Sequence, residues 1–172
     1  MTETVPYEIT GTAGEIEFRK YPPLVLATVE SPGGDVGFNL LFGYISGNNT
    51  ARDTISMTSP VITSGTIPMT APVVSDTTSM SFVMPPEKSR DDIPEPVDER
   101  VRIVPVPERE MAVIRFKGHA RKDDVAAVEV RLKEGLRKAG IEPVGEPFLM
   151  RYNPPWIPGF LRRNEVGVEI RR

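Results

Sequence analysis

The sequence contains few side chains that could perform catalysis or bind a metal ion. His119 is the one histidine and cysteine is absent, so a cluster of histidine or thiolate ligands cannot form. A Ser-His-Asp triad would depend on this single imidazole, and no Gly-x-Ser-x-Gly turn exposes a nucleophilic serine. His119 lies where a predicted strand turns into a helix. This position favours an exposed turn histidine, with an axial ligand of a metal centre as the alternative.

Apolar and polarizable side chains are the other candidates. Methionine and aromatic side chains adapt to flat apolar ligands, but they also fill ordinary protein cores. The residues open to both interpretations are Met57, Met69, Met80, Met84, Phe38, Phe42 and Trp156. Residue type alone does not decide between a groove and a core.

Two amphipathic helices and several short strands must position these residues. Apolar residues spaced three to four apart predict a helix of about three turns from Asp35 to Ile45, and a second helix from Arg121 to Ala139. Gly140 would end the second helix. Alternating or β-branched segments predict strands at Glu15–Tyr21, Leu24–Val29, Met80–Met84, Val101–Val106, Met111–Lys117, Pro147–Tyr152 and Glu165–Ile170.

The order of these elements is the same in both halves of the chain. Residues 1–84 and 100–172 each read β-β-α-β-β, and the Pro- and Asp-rich residues 85–99 connect them. We therefore expect a single α+β domain over residues 1–172, built from a duplicated half. Its strands would form either a barrel or a saddle-shaped sheet that carries two helices.

A repeated phrase lies in the first half. Residues 57–61 read MTSPV and residues 69–73 read MTAPV. The proline in each phrase suits a strand end or edge, because it donates no ladder hydrogen bond. We expect the two phrases to pair as an antiparallel hairpin with Met57 and Met69 on the same face.

The net charge and the apolar runs of the sequence indicate which partners and locations to expect. The 172 residues carry a formal net charge of -3, so we expect no nucleic-acid partner. No apolar run approaches the roughly 20 residues that a membrane-spanning helix needs, and residues 1–30 lack the apolar core of a signal peptide. We expect an untargeted cytoplasmic protein.

A series of short motifs extends over nearly the whole chain. In order they are Y-E-I near Tyr7, F-R-K-Y from Phe18, F-x-x-L-F-x-Y-I-x-G-N from Phe38, I-x-M-T-x-P-V from Ile55, M-S-F-V-M-P from Met80, F-x-G from Phe116, Y-N-P-P from Tyr152 and R-R-N-E-V from Arg162. This series resembles the SOUL haem-binding protein family.

The resemblance implies a fold and a site. The fold is a distorted antiparallel barrel of about eight strands flanked by two helices, in agreement with the duplication. The site is an apolar cleft beside the first helix that takes haem or a related tetrapyrrole. By position, the resemblance assigns to its wall Phe38, Leu41, Phe42, Ile45, Trp156 and Ile157. The metal ligand is unknown, with His119 as the candidate axial ligand.

The chain departs from its relatives at the positions that hold haem. One branch of the family has a histidine in the motif that aligns with residues 19–21, where this chain has Lys20. Another branch has basic residues at positions that align approximately with Gly43 and Ile157, and neither is charged here. Burial of an apolar face, at roughly 25 cal/mol per Å² before the cost of association, would supply most of the binding free energy.

Two functions follow from the resemblance. The first is a carrier or buffer of haem or a related tetrapyrrole, with a planar hydrophobic small molecule as partner. The alternative is a small-molecule sensor or protein-interaction module of the same fold without physiological haem. An enzyme acting on a tetrapyrrole would need a proton donor or redox partner that the sequence does not reveal.

Overall fold

The computed structural model describes residues 3–31, 34–64, 78–153 and 156–172. Over these residues the chain has an α+β fold with two α-helices and mainly antiparallel strands, as the sequence predicts. It divides into two compact units that are not contiguous in sequence. The first unit contains Met1–Pro6 and Pro23–Pro107, and the second contains Tyr7–Pro22 and Glu108–Arg172.

The helices and strands follow the predicted order, with longer strands and additional short ones. The helices are α1 (Gly34–Ile45) and α2 (Lys122–Ala139). The strands are β1 (Glu3–Thr4), β2 (Glu8–Ala13), β3 (Ile16–Tyr21), β4 (Leu24–Ser31), β5 (Thr58–Ser64), β6 (Thr78–Val83), β7 (Val101–Val106), β8 (Arg109–Lys117), β9 (Glu142–Arg151) and β10 (Arg163–Arg171).

The first unit packs α1 against a small sheet. The strand order is β5-β6-β4-β7 with antiparallel pairing, and β1 runs parallel to β5. The core between helix and sheet contains Leu41 and Tyr44 of α1, Val29 of β4 and Phe82 of β6. Because apolar residues recur every three to four positions along α1, one side of the helix is buried against this sheet.

The first of the two repeated phrases overlaps the start of β5. Thr58 pairs with Val83 of β6 on one side and with Glu3 of β1 on the other. The second phrase, residues 69–73, lies outside the described residues. The predicted pairing of the two phrases therefore stays a prediction.

The second unit packs α2 against a larger antiparallel sheet. The strand order is β2-β3-β8-β10-β9. The predicted apolar stripe of α2 is confirmed, since Val128, Leu132 and Leu136 are buried against this sheet. Gly140 ends the helix with φ of 70°, a left-handed conformation that glycine adopts without a steric cost.

The strands of the second unit come from both ends of the chain. β3 pairs with β8, so residues 8–21 belong to the same unit as residues 108–172. The predicted halves, by contrast, keep residues 1–84 together. The internal duplication, the single domain and the closure of the strands into a distorted barrel stay predictions.

Candidate functional site

Helix α1 carries an aromatic pair. The rings of Phe38 and Phe42, one helical turn apart, stack with centroids 6.0 Å apart and planes inclined by 14°. Phe38 is partly buried and makes an edge-to-face contact with Phe82 at 5.4 Å. Phe42 is 50% exposed, so it offers an aromatic surface to a ligand.

The inner side of α1 holds this pair in place. Leu41 and Ile45 are buried in the core of the first unit, so they support the helix and present no surface to solvent. The hydroxyl of Tyr44 donates a hydrogen bond of 2.6 Å to the carbonyl oxygen of Pro94. Burial raises the pKa of Tyr44 to about 12, so the hydroxyl keeps its proton at neutral pH.

Trp156 and Ile157 lie in the second unit, in the loop between β9 and β10. Trp156 is 80% exposed, and Ile157 is partly buried. The carbonyl oxygen of Ile157 accepts a hydrogen bond of 2.8 Å from Nε of Arg162. The structure thus brings the four α1 residues of the predicted site together in one unit and the two loop residues together in the other.

His119 is exposed, and its ring packs against Gly159. A Cβ placed on Gly159 would lie 1.9 Å from Cε1 and 2.3 Å from both ring nitrogens. The turn before His119 is held by Asn164, whose side-chain amide donates to the carbonyl of Gly118 at 2.8 Å. Within the part of the chain that the structure describes, no group of three or more His, Asp or Glu residues is arranged to hold a metal ion.

Lys20 and Gly43 are two of the three positions at which the resemblance implies haem-fixing residues. Lys20 forms an exposed ion pair of 3.3 Å with Glu108. Gly43 lies beside open space, since a Cβ built there would meet nothing within 4 Å. Neither residue carries an imidazole, and Gly43 carries no charge.

The second unit contains a buried polar cluster that was not predicted from the sequence, which we call the Arg19–Glu165 network. Its members are Arg19, Tyr21, Tyr152, Arg163 and Glu165. At its centre, Nη1 of Arg19 donates to Oε1 of Glu165 at 2.7 Å, and Nη2 donates to Oε2 at 2.8 Å. Arg19 is 1% exposed and Glu165 is 0% exposed. A two-point pair of this kind is among the stronger hydrogen-bonded arrangements in proteins.

The other members surround this central pair. The hydroxyl of Tyr152 donates to Oε1 of Glu165 at 2.6 Å, and Nη2 of Arg163 donates to Oε2 at 2.9 Å. Tyr21 accepts a hydrogen bond of 2.9 Å from Arg19. The ring of Tyr7 lies 4.1 Å from the guanidinium carbon of Arg19, a cation–π contact.

The ionisation of the network is fixed at neutral pH. Burial alone would raise the pKa of Glu165, but hydrogen bonds from Arg19 and Tyr152 and the charge of Arg19 outweigh it and lower this pKa to about 2. Burial also raises the pKa of Tyr152, and the neighbouring Tyr21 and Glu165 raise it further. The network therefore presents a carboxylate and a neutral phenol that exchange no protons near pH 7, which suits a structural role better than acid–base catalysis.

The sequence contained a signal for this network. Glu17, Arg19 and Tyr21 alternate along β3 with Ile16 and Phe18, so the strand has one polar and one apolar face. Both faces are largely buried, and a buried polar face needs partners. The motifs that carry the resemblance supply those partners at residues 152 and 162–166.

Comparison with known proteins gives a family and a fold. A family model described as SOUL heme-binding protein matches residues 2–169 of the chain. No curated protein matches the chain.

Three solved structures are similar in fold at low sequence identity. The EcmrR C-terminal domain has a TM-score of 0.65 at 9% identity, over 96% of this chain and 98% of that one. A hydrolase from Listeria innocua has a TM-score of 0.58 at 10% identity, over 94% of each chain. SAV2435 bound to tetraphenylphosphonium has a TM-score of 0.53 at 10% identity, over 91% of this chain and 94% of that one. At these identities the likeness shows the fold alone.

Proposed function

Because this chain belongs to the SOUL heme-binding protein family, we propose that it is a carrier or buffer of haem or a related tetrapyrrole, with the macrocycle as its cargo. Apart from family membership, the observation that supports this proposal is the stacked pair of Phe38 and Phe42 on α1. A tetrapyrrole is planar and largely apolar, and an exposed aromatic ring is a favourable surface for it. The distorted barrel of about eight strands implied by the resemblance is part of the same proposal.

The proposed contacts differ in what each side chain contributes. Phe42 would touch the ligand, with Phe38 stacked behind it, while Leu41 and Ile45 keep α1 on its sheet. Trp156 and Ile157 are proposed contacts from the loop of the second unit. Because these two groups lie in different units, single variants in each test them separately.

The iron of haem would need an axial ligand from the protein or from solvent. His119 is the one imidazole of the chain; the residue is exposed, with its ring packed against Gly159. We propose it as the candidate axial ligand. If it coordinates the iron, His119→Ala changes the position of the Soret band of the complex as well as the affinity.

The affinity expected from burial alone is weak. Covering about 300 Å² of apolar surface contributes about 7 kcal/mol before the cost of association is subtracted. Association costs about 4 kcal/mol or more, so burial alone leaves binding in the millimolar range or weaker. Micromolar affinity, which suits a carrier or buffer that must release its cargo, would need a further contribution such as ligation of the iron by His119.

One observation favours the alternative of a small-molecule sensor. SAV2435, which shares the fold, is described as bound to tetraphenylphosphonium, an apolar organic cation. A ligand that binds the native state raises Tm, and at a given concentration a tighter ligand raises it more. The carrier proposal predicts that hemin raises Tm and that tetraphenylphosphonium at the same concentration does not, whereas a sensor of apolar cations would show the reverse.

A hemin titration followed in the Soret band tests the carrier proposal. Phe42→Asp should weaken binding, because a carboxylate would replace the exposed ring. Val130→Asp is the matched control, since Val130 is an exposed apolar residue on α2. Its hemin affinity should equal that of the unmodified protein.

A further inference from the structure

Three large apolar side chains are exposed close together in the loop between β9 and β10. Trp156, Phe160 and Leu161 are 80%, 71% and 54% exposed, and we call them the apolar tip. Water-exposed clusters of this kind mark surfaces that contact another molecule. The tip belongs to the second unit, and Phe160 and Leu161 are outside the proposed haem contacts.

The backbone beneath the apolar tip is tied down, so the three side chains remain outside. A 3-10 turn spans Gly159–Leu161, where the N–H of Leu161 donates to the carbonyl of Pro158 at 2.9 Å. Gly159 is buried under the ring of His119. Arg162 holds the preceding residues through the carbonyl of Ile157. These contacts hold the backbone of the turn, so the side chains of the apolar tip remain exposed.

The segments that contain or adjoin the apolar tip are rich in basic residues, although the chain as a whole has a net charge of -3. Segments 115–122 and 147–164 contain no Asp or Glu. They adjoin in the sheet, because Lys117 pairs with Arg163 and the N–H of Gly118 donates to the carbonyl of Arg162. Their basic residues, which we call the basic surround, are Arg115, Lys117, Arg121, Lys122, Arg151, Arg162 and Arg163.

Much of this positive charge is not neutralised within the protein. Arg115 and Arg163 share the buried carboxylate of Glu165. Among the described residues, no ion pair joins a carboxylate to any of four others, which are Lys117, Arg121, Lys122 and Arg151. Acidic residues flank both segments: Asp123 and Asp124 begin α2 after the first segment, and Glu146 and Glu165 border the second. Burial and the neighbouring charge of Arg162 lower the pKa of Arg151, as expected for crowded cations.

We propose that the apolar tip and the basic surround dock onto the surface of an anionic lipid membrane. Trp156, Phe160 and Leu161 enter the headgroup region, where tryptophan is favoured because its ring is apolar and its N–H is polar. The Lys and Arg side chains meet lipid phosphates and gain from the negative surface potential. This docking is peripheral and does not require bound haem.

A lipid surface fits these features better than a protein or a nucleic acid does. Three side chains cover a few hundred Å², less than the roughly 800 Å² per partner of a stable protein interface. Single-stranded nucleic acids bind by stacking bases on aromatic rings, and Leu161 with the neighbouring Ile157 offers no such ring. Mixed aromatic and aliphatic side chains with flanking cations are typical of interfacial membrane contacts.

The fluorescence of Trp156 tests the proposal directly, because it is the only tryptophan of the chain. The ligand-free protein is titrated with vesicles of phosphatidylcholine alone and with vesicles containing one quarter phosphatidylglycerol. We expect a blue shift with the anionic vesicles only, reversed by added salt because the charges are screened. Co-sedimentation with the vesicles gives the affinity independently.

Variants separate the two components of the docking surface. Phe160→Ser should weaken vesicle binding about tenfold by removing an inserted ring, and Arg151→Gln should weaken it roughly fivefold by removing one cation. The matched controls are Val130→Ser and Arg137→Gln on α2, remote in sequence from the loop. Both should bind vesicles as the unmodified protein does, and Phe160→Ser should keep its hemin affinity.

Several results would overturn the docking proposal while leaving haem binding intact. These are the absence of a blue shift with anionic vesicles, and equal vesicle binding by Phe160→Ser and Val130→Ser. A blue shift of Trp156 that appears with protein concentration in the absence of lipid would assign the tip to self-association. An equal or tighter response to a single-stranded oligonucleotide would assign the surface to nucleic acid.

Discussion

Arg19 and Glu165 lie 146 positions apart in the sequence and form a buried ion pair with two hydrogen bonds of 2.7 and 2.8 Å. The pair joins β3 to β10, and β8 lies between these two strands in the sheet. Two charges removed from water carry a large desolvation cost, which their mutual attraction and their hydrogen bonds offset. Loss of either partner therefore leaves a buried charge without compensation.

Arg19→Met should destabilise the protein by about 3–5 kcal/mol, because Glu165 would remain buried with only part of its hydrogen bonding. The free energy of unfolding in urea measures this change. Arg131→Met is the matched control, since the pair of Arg131 with Glu15 is exposed, and exposed pairs contribute about 0–1 kcal/mol.

A double variant tests whether the effect belongs to the pair. The double variant Arg19→Met with Glu165→Leu leaves no buried charge of the central pair. Its loss of unfolding free energy should therefore be smaller than the sum of the losses in the two single variants. If Arg19→Met and Arg131→Met lowered the free energy of unfolding equally, the stabilising role of the Arg19–Glu165 network would be contradicted.

Acid should weaken the native state through Glu165. Its folded pKa of about 2 lies below the ordinary 4.5, so its contribution to stability is fully present above about pH 5. The contribution is lost as the pH falls toward 2, and it amounts to about 3 kcal/mol. Urea unfolding between pH 5 and pH 2 should show a smaller loss of stability for Glu165→Gln than for the unmodified protein. Parallel pH dependences would show that Glu165 titrates normally in the folded state.

The contact of His119 with Gly159 predicts a pair of compensating substitutions. Gly159→Ala places a methyl group within 1.9 Å of the imidazole, and relief of this overlap should cost about 1–3 kcal/mol of stability. Adding His119→Ala to Gly159→Ala should restore most of the lost stability. His119→Ala alone should change stability little, because the side chain is exposed. Thermal unfolding of the three variants measures these differences. An unchanged Tm in Gly159→Ala would mean that the ring moves aside freely.

The helices and most strands could be predicted from sequence because their apolar residues follow the period of each element. Val128, Leu132 and Leu136 recur at helical spacing, and they are buried as the pattern indicates. β2 was not predicted, because its residues, EITGTA, lack a regular alternation of apolar side chains. The pairing of Thr58 with Val83 depends on which distant strand competes for its edge, and this is not encoded locally.

The candidate site was predictable in part. The spacing of Phe38 and Phe42 places them one helical turn apart, and they stack as neighbours on α1. The same period places Leu41 and Ile45 on the same broad face of α1, so it does not predict that these two side chains are buried while Phe42 is half exposed. Contacts such as that of Arg19 with Glu165 join residues far apart in sequence, and single-sequence patterns carry no information on such pairings.

Haem binding beside α1 is tested most directly by titration of hemin into the purified protein, with Phe42→Asp and Val130→Asp measured alongside it. We expect a saturable Soret change of micromolar affinity for the unmodified protein and for Val130→Asp. We expect binding at least tenfold weaker for Phe42→Asp, because the variant places a charge where the macrocycle would lie. Equal hemin affinity for Phe42→Asp and Val130→Asp, or no saturable Soret change in the unmodified protein, would contradict haem binding beside α1.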